Sequence, residues 1–163
     1  MGAAATLAGG GLVAVPGMED AMASTQSEVR ALLDSWSEAI RIKDIDQLMP
    51  LYAPDIVYFD VVPPLQYTGS AAVRRNFLRW FDAWKSSIGV EIRDLHILAS
   101  GEIAVAHMLH RTSGTLKNGR EVGYWVRATV CCQRADHRWV ITHEHISLPV
   151  DVASGSAAMD LVA

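Results

Sequence analysis

The sequence predicts an α+β fold in which helices cover one face of a curved, mostly antiparallel sheet. Two observations lead there. As far as Lys85, apolar residues recur at spacings of three and four, the period of helices, whereas from Val90 onward the period is two. The late strands are also long and their links short, so they need no crossover helices and pair antiparallel. Helices that precede such a sheet have an apolar face to bury and one surface on which to bury it.

Each element has its own signal. A first helix is expected from a cap at Ser24 or Thr25, with Val29, Leu32, Leu33, Trp36, Ala39 and Ile40 as its buried stripe. Thr25 and Glu28 have capping-box spacing. Asp44 caps a short second helix that runs to Leu51 and stops near Pro54. The stretch Ile56-Val57-Tyr58-Phe59 is β-branched and aromatic, a strand closed by Pro63-Pro64. Ser70 caps the third helix, whose stripe is Val73, Phe77, Trp80, Phe81 and Trp84, while Arg74, Arg75, Arg79 and Lys85 stay in water. Four strands follow, over residues 90–100, 103–115, 121–134 and 138–147, with turns at Ser100-Gly101-Glu102, Lys117-Asn118-Gly119 and Ala135-Asp136-His137.

A chain of 163 residues has the length of one domain. Residues 25–151 carry all of these signals. Residues 1–24 read as a flexible leader: they are rich in Ala and Gly, and no Lys or Arg precedes Arg30, so the charged start of a secretory signal is missing. Residues 152–163 read as a flexible tail.

Composition excludes several function classes. Fourteen Lys and Arg against eighteen Asp and Glu give a net charge of −4, and the one basic cluster is Arg74-Arg75, which argues against nucleic acid. No apolar run is long enough to span a membrane. Cys131 and Cys132 are adjacent, so in a strand they point to opposite faces, and no zinc spacing surrounds them. They read as two buried thiols in a reducing compartment, and a cytoplasmic location is the expectation. Gly-rich phosphate loops and nucleophile elbows are also missing, which removes ATP, NAD and serine-hydrolase chemistry; no cofactor is expected.

The element order, together with Leu51-Tyr-Ala-Pro-Asp-Ile-Val-Tyr-Phe-Asp60, Thr68-Gly-Ser-Ala-Ala-Val-Arg74 and Arg138-Trp-Val-Ile-Thr-His-Glu-His-Ile-Ser147, resembles the nuclear transport factor 2-like superfamily. That superfamily has a cone-shaped α+β barrel and includes ketosteroid isomerases and SnoaL-like polyketide cyclases. The resemblance runs from Gln26 to Asp151. It implies an enclosed apolar pocket inside the cone, the usual place for a ligand. It further implies a homodimer, and a small hydrophobic ligand or substrate. Because one scaffold of this kind hosts enzymes and binding domains alike, two functions follow. One is cofactor-independent proton transfer on a hydrophobic carbonyl compound, as isomerase, cyclase or dehydratase. The other is a non-catalytic ligand-binding or dimerisation domain.

On this resemblance Asp60 falls where the isomerases keep their general-base carboxylate. Alternation puts Asp60 on the face of Ile56 and Tyr58, and a carboxylate beside aromatic walls becomes a better proton acceptor. The alternative is a turn residue bonded to the backbone before Pro63. The resemblance also places Trp36 and Thr129 where the isomerases use a Tyr hydroxyl and a protonated Asp as donors; an indole N–H and a threonine hydroxyl are weaker acids than those.

Three histidines are candidates for the cavity. His143 and His145 share a face with Trp139 and Ile141, and His107 shares one with Val105 and Leu109, which the resemblance points inward. A slip of one residue in the last strand would bring Thr142 and Glu144 inward instead. His110 is expected to face away, with Met108 and Ala106. As pocket groups, His107 and His145 would donate or shuttle protons, His143 would contact substrate, and Arg127 would steady an enolate. As structural groups, the histidines would be hydrogen-bonded within the fold and Arg127 would lie on an outward, subunit-facing surface of the sheet. The three imidazoles could instead hold zinc or iron, but no carboxylate joins them and no metal is assigned. Tyr58, Trp80, Trp84 and Trp125 would shape the apolar wall, although Trp80 and Trp84 are equally a helical core stripe.

Overall fold

The computed structural model describes residues 18–163, with side chains from residue 22 onward. Three helices precede the long strands, as the change of period requires: α1 (Met18–Ile42), α2 (Ile45–Leu48) and α3 (Ser70–Asp82). The strands are β1 (Tyr52–Phe59), β2 (Tyr67–Thr68), β3 (Gly89–Ser100), β4 (Ile103–Thr115), β5 (Glu121–Ala135), β6 (Arg138–Ser147), β7 (Val150–Asp151) and β8 (Ser156–Ala157). Six of them form one sheet in the order β2-β1-β6-β5-β4-β3, and β7 and β8 form a separate hairpin. Every pair in the large sheet is antiparallel except β1 with β6.

The helices lie on one side of this sheet. Val29, Leu32, Leu33, Trp36, Ala39 and Ile40 are all buried, so the apolar stripe of α1 is the expected one. The helix begins earlier than expected, at Met18, and Ser24 and Thr25 lie within it. Glu28 closes no capping box; it accepts hydrogen bonds from the side chains of Arg134 and Trp139, tying α1 to the β5–β6 end of the sheet. The rest of the expected leader, residues 1–17, lies outside the described residues. Asp44 caps α2 as expected, its side chain accepting from the Asp46 and Gln47 amides at 2.9 Å. A 3-10 turn (Met49–Leu51) then leads into β1. α3 begins at Ser70 behind Gly69, whose φ of 81° replaces a side-chain cap.

Three irregularities interrupt the pairing of the sheet, one of them between Tyr52 and Val57 where β1 runs beside β6. Pairing of β3 with β4 shifts between Arg93 and His96, with Asp94 at a φ of 50°. Pairing of β5 with β6 shifts between Cys131 and Cys132, whose partners are His143 and Ile141, so Thr142 is an extra residue in β6. Such bulges bend and twist a strand, and these last two each reverse the alternation of faces beyond them. Gly114 (φ 146°) marks where the chain after α3 presses on β4: a Cβ there would lie 3.0 Å from the Ser87 carbonyl oxygen. Residues 152–163, expected as a flexible tail, include β8, and Arg93 donates to the Ala163 carbonyl at 2.6 Å. No described helix is long and apolar enough to cross a membrane.

Candidate functional site

A cavity of about 360 Å³ opens between the helices and the concave face of the sheet. Trp36 reaches it from α1, Tyr58 and Asp60 from β1 and the turn after it, and Asn76, Phe77, Arg79 and Trp80 from α3. His110 and Thr112 come from β4, Tyr124 and Val126 from β5, and Glu144 and Ile146 from β6. The walls are mainly aromatic. Tyr58 and Phe77 stack at 5.9 Å, and Phe77 meets Trp80 edge-on at 6.2 Å.

Asp60 sits at the end of β1, half-buried at the rim of this cavity. Its carboxylate accepts from the Val61 amide at 2.6 Å and from Asn76 Nδ2 at 2.6 Å. The first contact is the backbone bond of a turn residue; the second ties the carboxylate to the wall of α3. The turn contact and the contact with the cavity wall thus occur together in one carboxylate. Asn76 is itself 5% exposed and accepts from Arg79 at 3.0 Å, so one amide links carboxylate and guanidinium.

Deeper in, Glu144 is only 2% exposed. The Tyr52 hydroxyl donates to Glu144 Oε2 at 2.6 Å, and the Trp36 indole donates to the Tyr52 hydroxyl at 2.7 Å. Burial pushes the Glu144 carboxyl up to about 7; the Tyr52 hydrogen bond opposes that shift without cancelling it, and the nearby Asp60 charge adds to it. Glu144 thus keeps its proton through mildly acid pH and is about half protonated at pH 7. His110, 6% exposed, is driven the other way by burial, down to about 4, and is a neutral imidazole at pH 7. It packs edge-on against Trp36 at 5.2 Å and lies 3.5 Å from the Thr112 hydroxyl. The Tyr58 phenol is held well above its usual range, mainly by burial and then by the Glu144 and Asp60 charges. The cavity therefore offers a carboxylate at its rim, a carboxyl at its floor that keeps its proton up to about pH 7, and a neutral imidazole on the wall formed by β4.

Of the sequence-predicted residues, Asp60, Tyr58, Trp36 and Trp80 line the cavity. Trp36 presents its ring, because its N–H is already given to Tyr52. The other placements need correction. Buried side chains on β4 are Ala104, Ala106, Met108, His110 and Thr112, which puts His107 on the outer face, stacked on His96 at 5.1 Å. The expectation for His110 is corrected by the same alternation: it faces in. On β5 the inward residues are Val126, Ala128, Val130 and Cys132, so Trp125, Arg127 and Thr129 point outward. Trp125 lies under the Arg93 guanidinium at 5.0 Å.

His143 and His145 are outward because of the bulge. Trp139 and Ile141 are buried as expected, but Thr142 adds one residue, and beyond it Glu144 and Ile146 take the inner face. The two histidines instead meet Phe59, at 4.9 and 5.6 Å, and His143 Nδ1 bonds the Val57 carbonyl at 2.9 Å. Trp84 is buried against Trp80, outside the cavity lining. Among the described residues no three His, Cys, Asp or Glu side chains converge as metal ligands. Sequence reasoning missed Asn76, Arg79 and Tyr124 as cavity residues, and placed Glu144 there only through a slipped register.

The chain belongs to the SnoaL-like domain family, whose profile matches residues 29–151. No curated protein matches the sequence. Among solved structures, a nuclear transport factor 2-like protein of unknown function from Pseudomonas putida is 31% identical; the match covers 87% of this chain and 99% of that one, with a TM-score of 0.80. A candidate dehydratase of the same family from Streptomyces avermitilis is 18% identical, covering 77% and 96%, with a TM-score of 0.69. A candidate scytalone dehydratase from Novosphingobium aromaticivorans is 12% identical, covering 79% and 87%, with a TM-score of 0.72. At those two identities the likeness concerns the fold.

Proposed function

We propose that this protein is a cofactor-independent proton-transfer enzyme, an isomerase, cyclase or dehydratase acting on a small hydrophobic carbonyl compound. The observation that carries the reading is the division of labour between two carboxyls in one apolar cavity. Asp60, hydrogen-bonded at the rim, is the base; Glu144, protonated at the floor, is the acid. Asp60 takes a proton from the carbon next to the carbonyl, and the electrons move onto the carbonyl oxygen as an enol. Glu144 supplies the proton or hydrogen bond that this oxygen needs. From the enol, return of the proton from Asp60 to a different carbon is isomerisation. Loss of a β-hydroxyl that carries the proton away as water is dehydration. Neutral His110 and the Thr112 hydroxyl, on the β4 wall of the same cavity, are further polar groups that meet the substrate. The aromatic walls exclude water and favour a flat ring. The dehydratase-type names of two structural relatives are compatible with such chemistry.

The test needs no knowledge of the natural substrate. α-Tetralone, a fused-ring ketone, is incubated with the protein in heavy water, and deuterium entry next to the carbonyl is followed by NMR. Exchange above the buffer rate, lost on the order of 100-fold in a folded Asp60→Asn variant, is the expected result. Exchange unchanged by that substitution removes Asp60 from the mechanism. Binding of the ketone without any exchange favours a ligand-binding domain instead.

A further inference from the structure

Arg79 stands apart from the other residues of the cavity. It is the one Lys or Arg in the lining, it is exposed at the mouth, and the only other basic side chain there, His110, is neutral. Its guanidinium donates to the Tyr67 hydroxyl at 3.1 Å and to Asn76 Oδ1 at 3.0 Å, two neutral acceptors. Elsewhere Arg41, Arg74, Arg93, Lys117 and Arg134 each pair with a carboxylate; among the described residues no acidic group lies within ion-pair distance of Arg79.

The arrangement does not neutralise the guanidinium although a carboxylate is near. Asp60 is separated from Arg79 by the Asn76 amide, which spends its N–H on one and its oxygen on the other. Two of the guanidinium's neighbours therefore fix its direction while leaving its charge and its remaining donors unused. Five donors in a planar fork suit a carboxylate, which they can hold with two parallel bonds. The cavity behind is apolar and aromatic, so a cation at its mouth selects ligands with an anionic end and a greasy body.

We propose that Arg79 is a specificity-determining residue, and that the ligand class is a ring-bearing carbonyl compound with a carboxylate substituent. The carboxylate is held at the mouth by Arg79 while the ring enters between Tyr58, Phe77 and Trp80. The inference rests on the proton-transfer reading for the carbonyl, but its anionic end is tested separately.

The experiment measures binding of a tetralone carboxylate and of its methyl ester by calorimetry, in wild type, Arg79→Gln and Arg79→Lys. Wild type should bind the acid about 10-fold or more tightly than the ester. That preference should shrink with added salt. Arg79→Gln should abolish the preference while retaining ester binding, and Arg79→Lys should keep part of it. A merely structural Arg79 would weaken both ligands together and leave their ratio alone. Equal affinities in wild type, a ratio that survives Arg79→Gln, or no binding of either compound overturns the proposal. Deuterium exchange of the ester separates the two claims. Exchange that depends on Asp60 without any acid preference sinks only the role of Arg79. An acid preference without exchange sinks only proton transfer.

Discussion

The two faces of the large sheet carry similar kinds of residue under opposite conditions. On the inner face, Glu144 and His110 are stripped of water and shifted in opposite directions, to about 7 and about 4. On the outer face, His107, Arg127 and His145 are exposed. Chemical type alone does not distinguish them: three histidines outside look as capable as one histidine and one glutamate inside. What separates them is burial, and burial on β6 is decided by a single extra residue, Thr142.

Inserting one alanine between Thr142 and His143 is the most severe way to break the difference. Pairing with Cys131 in place of His143, the added residue would turn Glu144 and Ile146 outward and bring His143 and His145 against the core. Deleting Thr142 would instead place Ile141 and Glu144 two apart and leave both inward. For the insertion, a destabilisation of roughly 3 kcal/mol or more is expected by chemical denaturation. An insertion variant as stable as wild type would mean that the residue count at the bulge does not determine the face.

Next in size are paired substitutions across the sheet. Glu144→Gln should slow the exchange reaction on the order of 100-fold, whereas His107→Gln and His145→Gln should each stay within about 2-fold of wild type. Comparable losses on both sides would show that the outer histidines act in the chemistry.

Stability against pH sharpens the contrast further. Glu144 binds its proton more tightly folded than unfolded, so it contributes stability that is present at acid pH and declines as pH rises from 4.5 to about 7. His110 binds its proton less tightly when folded, and its contribution is lost as pH falls from 6.5 to about 4. The two displacements are similar in size, each equivalent to roughly 3 kcal/mol, and over most of that range they offset one another. Melting curves of Glu144→Gln should therefore become steeply pH-dependent, with stability rising from pH 4 to 6.5. His110→Asn should show the reverse slope. Parallel profiles in all three proteins would contradict both burial assignments.

The smallest effect belongs to Arg127→Gln on the outer face. Its folded-state cost should be within about 0.5 kcal/mol, and exchange should be unaltered. If this face joins two copies, as the family resemblance implies, the same substitution should change the sedimentation behaviour rather than the reaction.

How much of this was legible in the sequence depends on which rule governs each element. The three helices and four long strands follow from period and turn chemistry, and Asp44 and the α1 stripe are as read. The site was legible where one strand and one helix define it: Asp60 and Tyr58 on β1, Trp80 on α3 and Trp36 on α1. It was not legible on β4, β5 and β6. Alternation says which residues share a face but not which face is inner, and His107, Arg127 and Thr129 were placed on the wrong one. On β6 even the sharing fails, since no residue type announces a bulge at Thr142. Asn76 and Arg79 were hidden for another reason. They lie beside the apolar stripe of α3, where polar side chains are ordinarily left in water, and only the position of Asp60 gives them a partner.

The most direct test of the account is the pH profile of deuterium exchange into α-tetralone. With Asp60 as base and protonated Glu144 as acid, the rate should fall as pH rises through about 7, and Glu144→Gln should remove that alkaline decline. A rate independent of pH between 6 and 8 in wild type, or a decline that persists unchanged in Glu144→Gln, would contradict it.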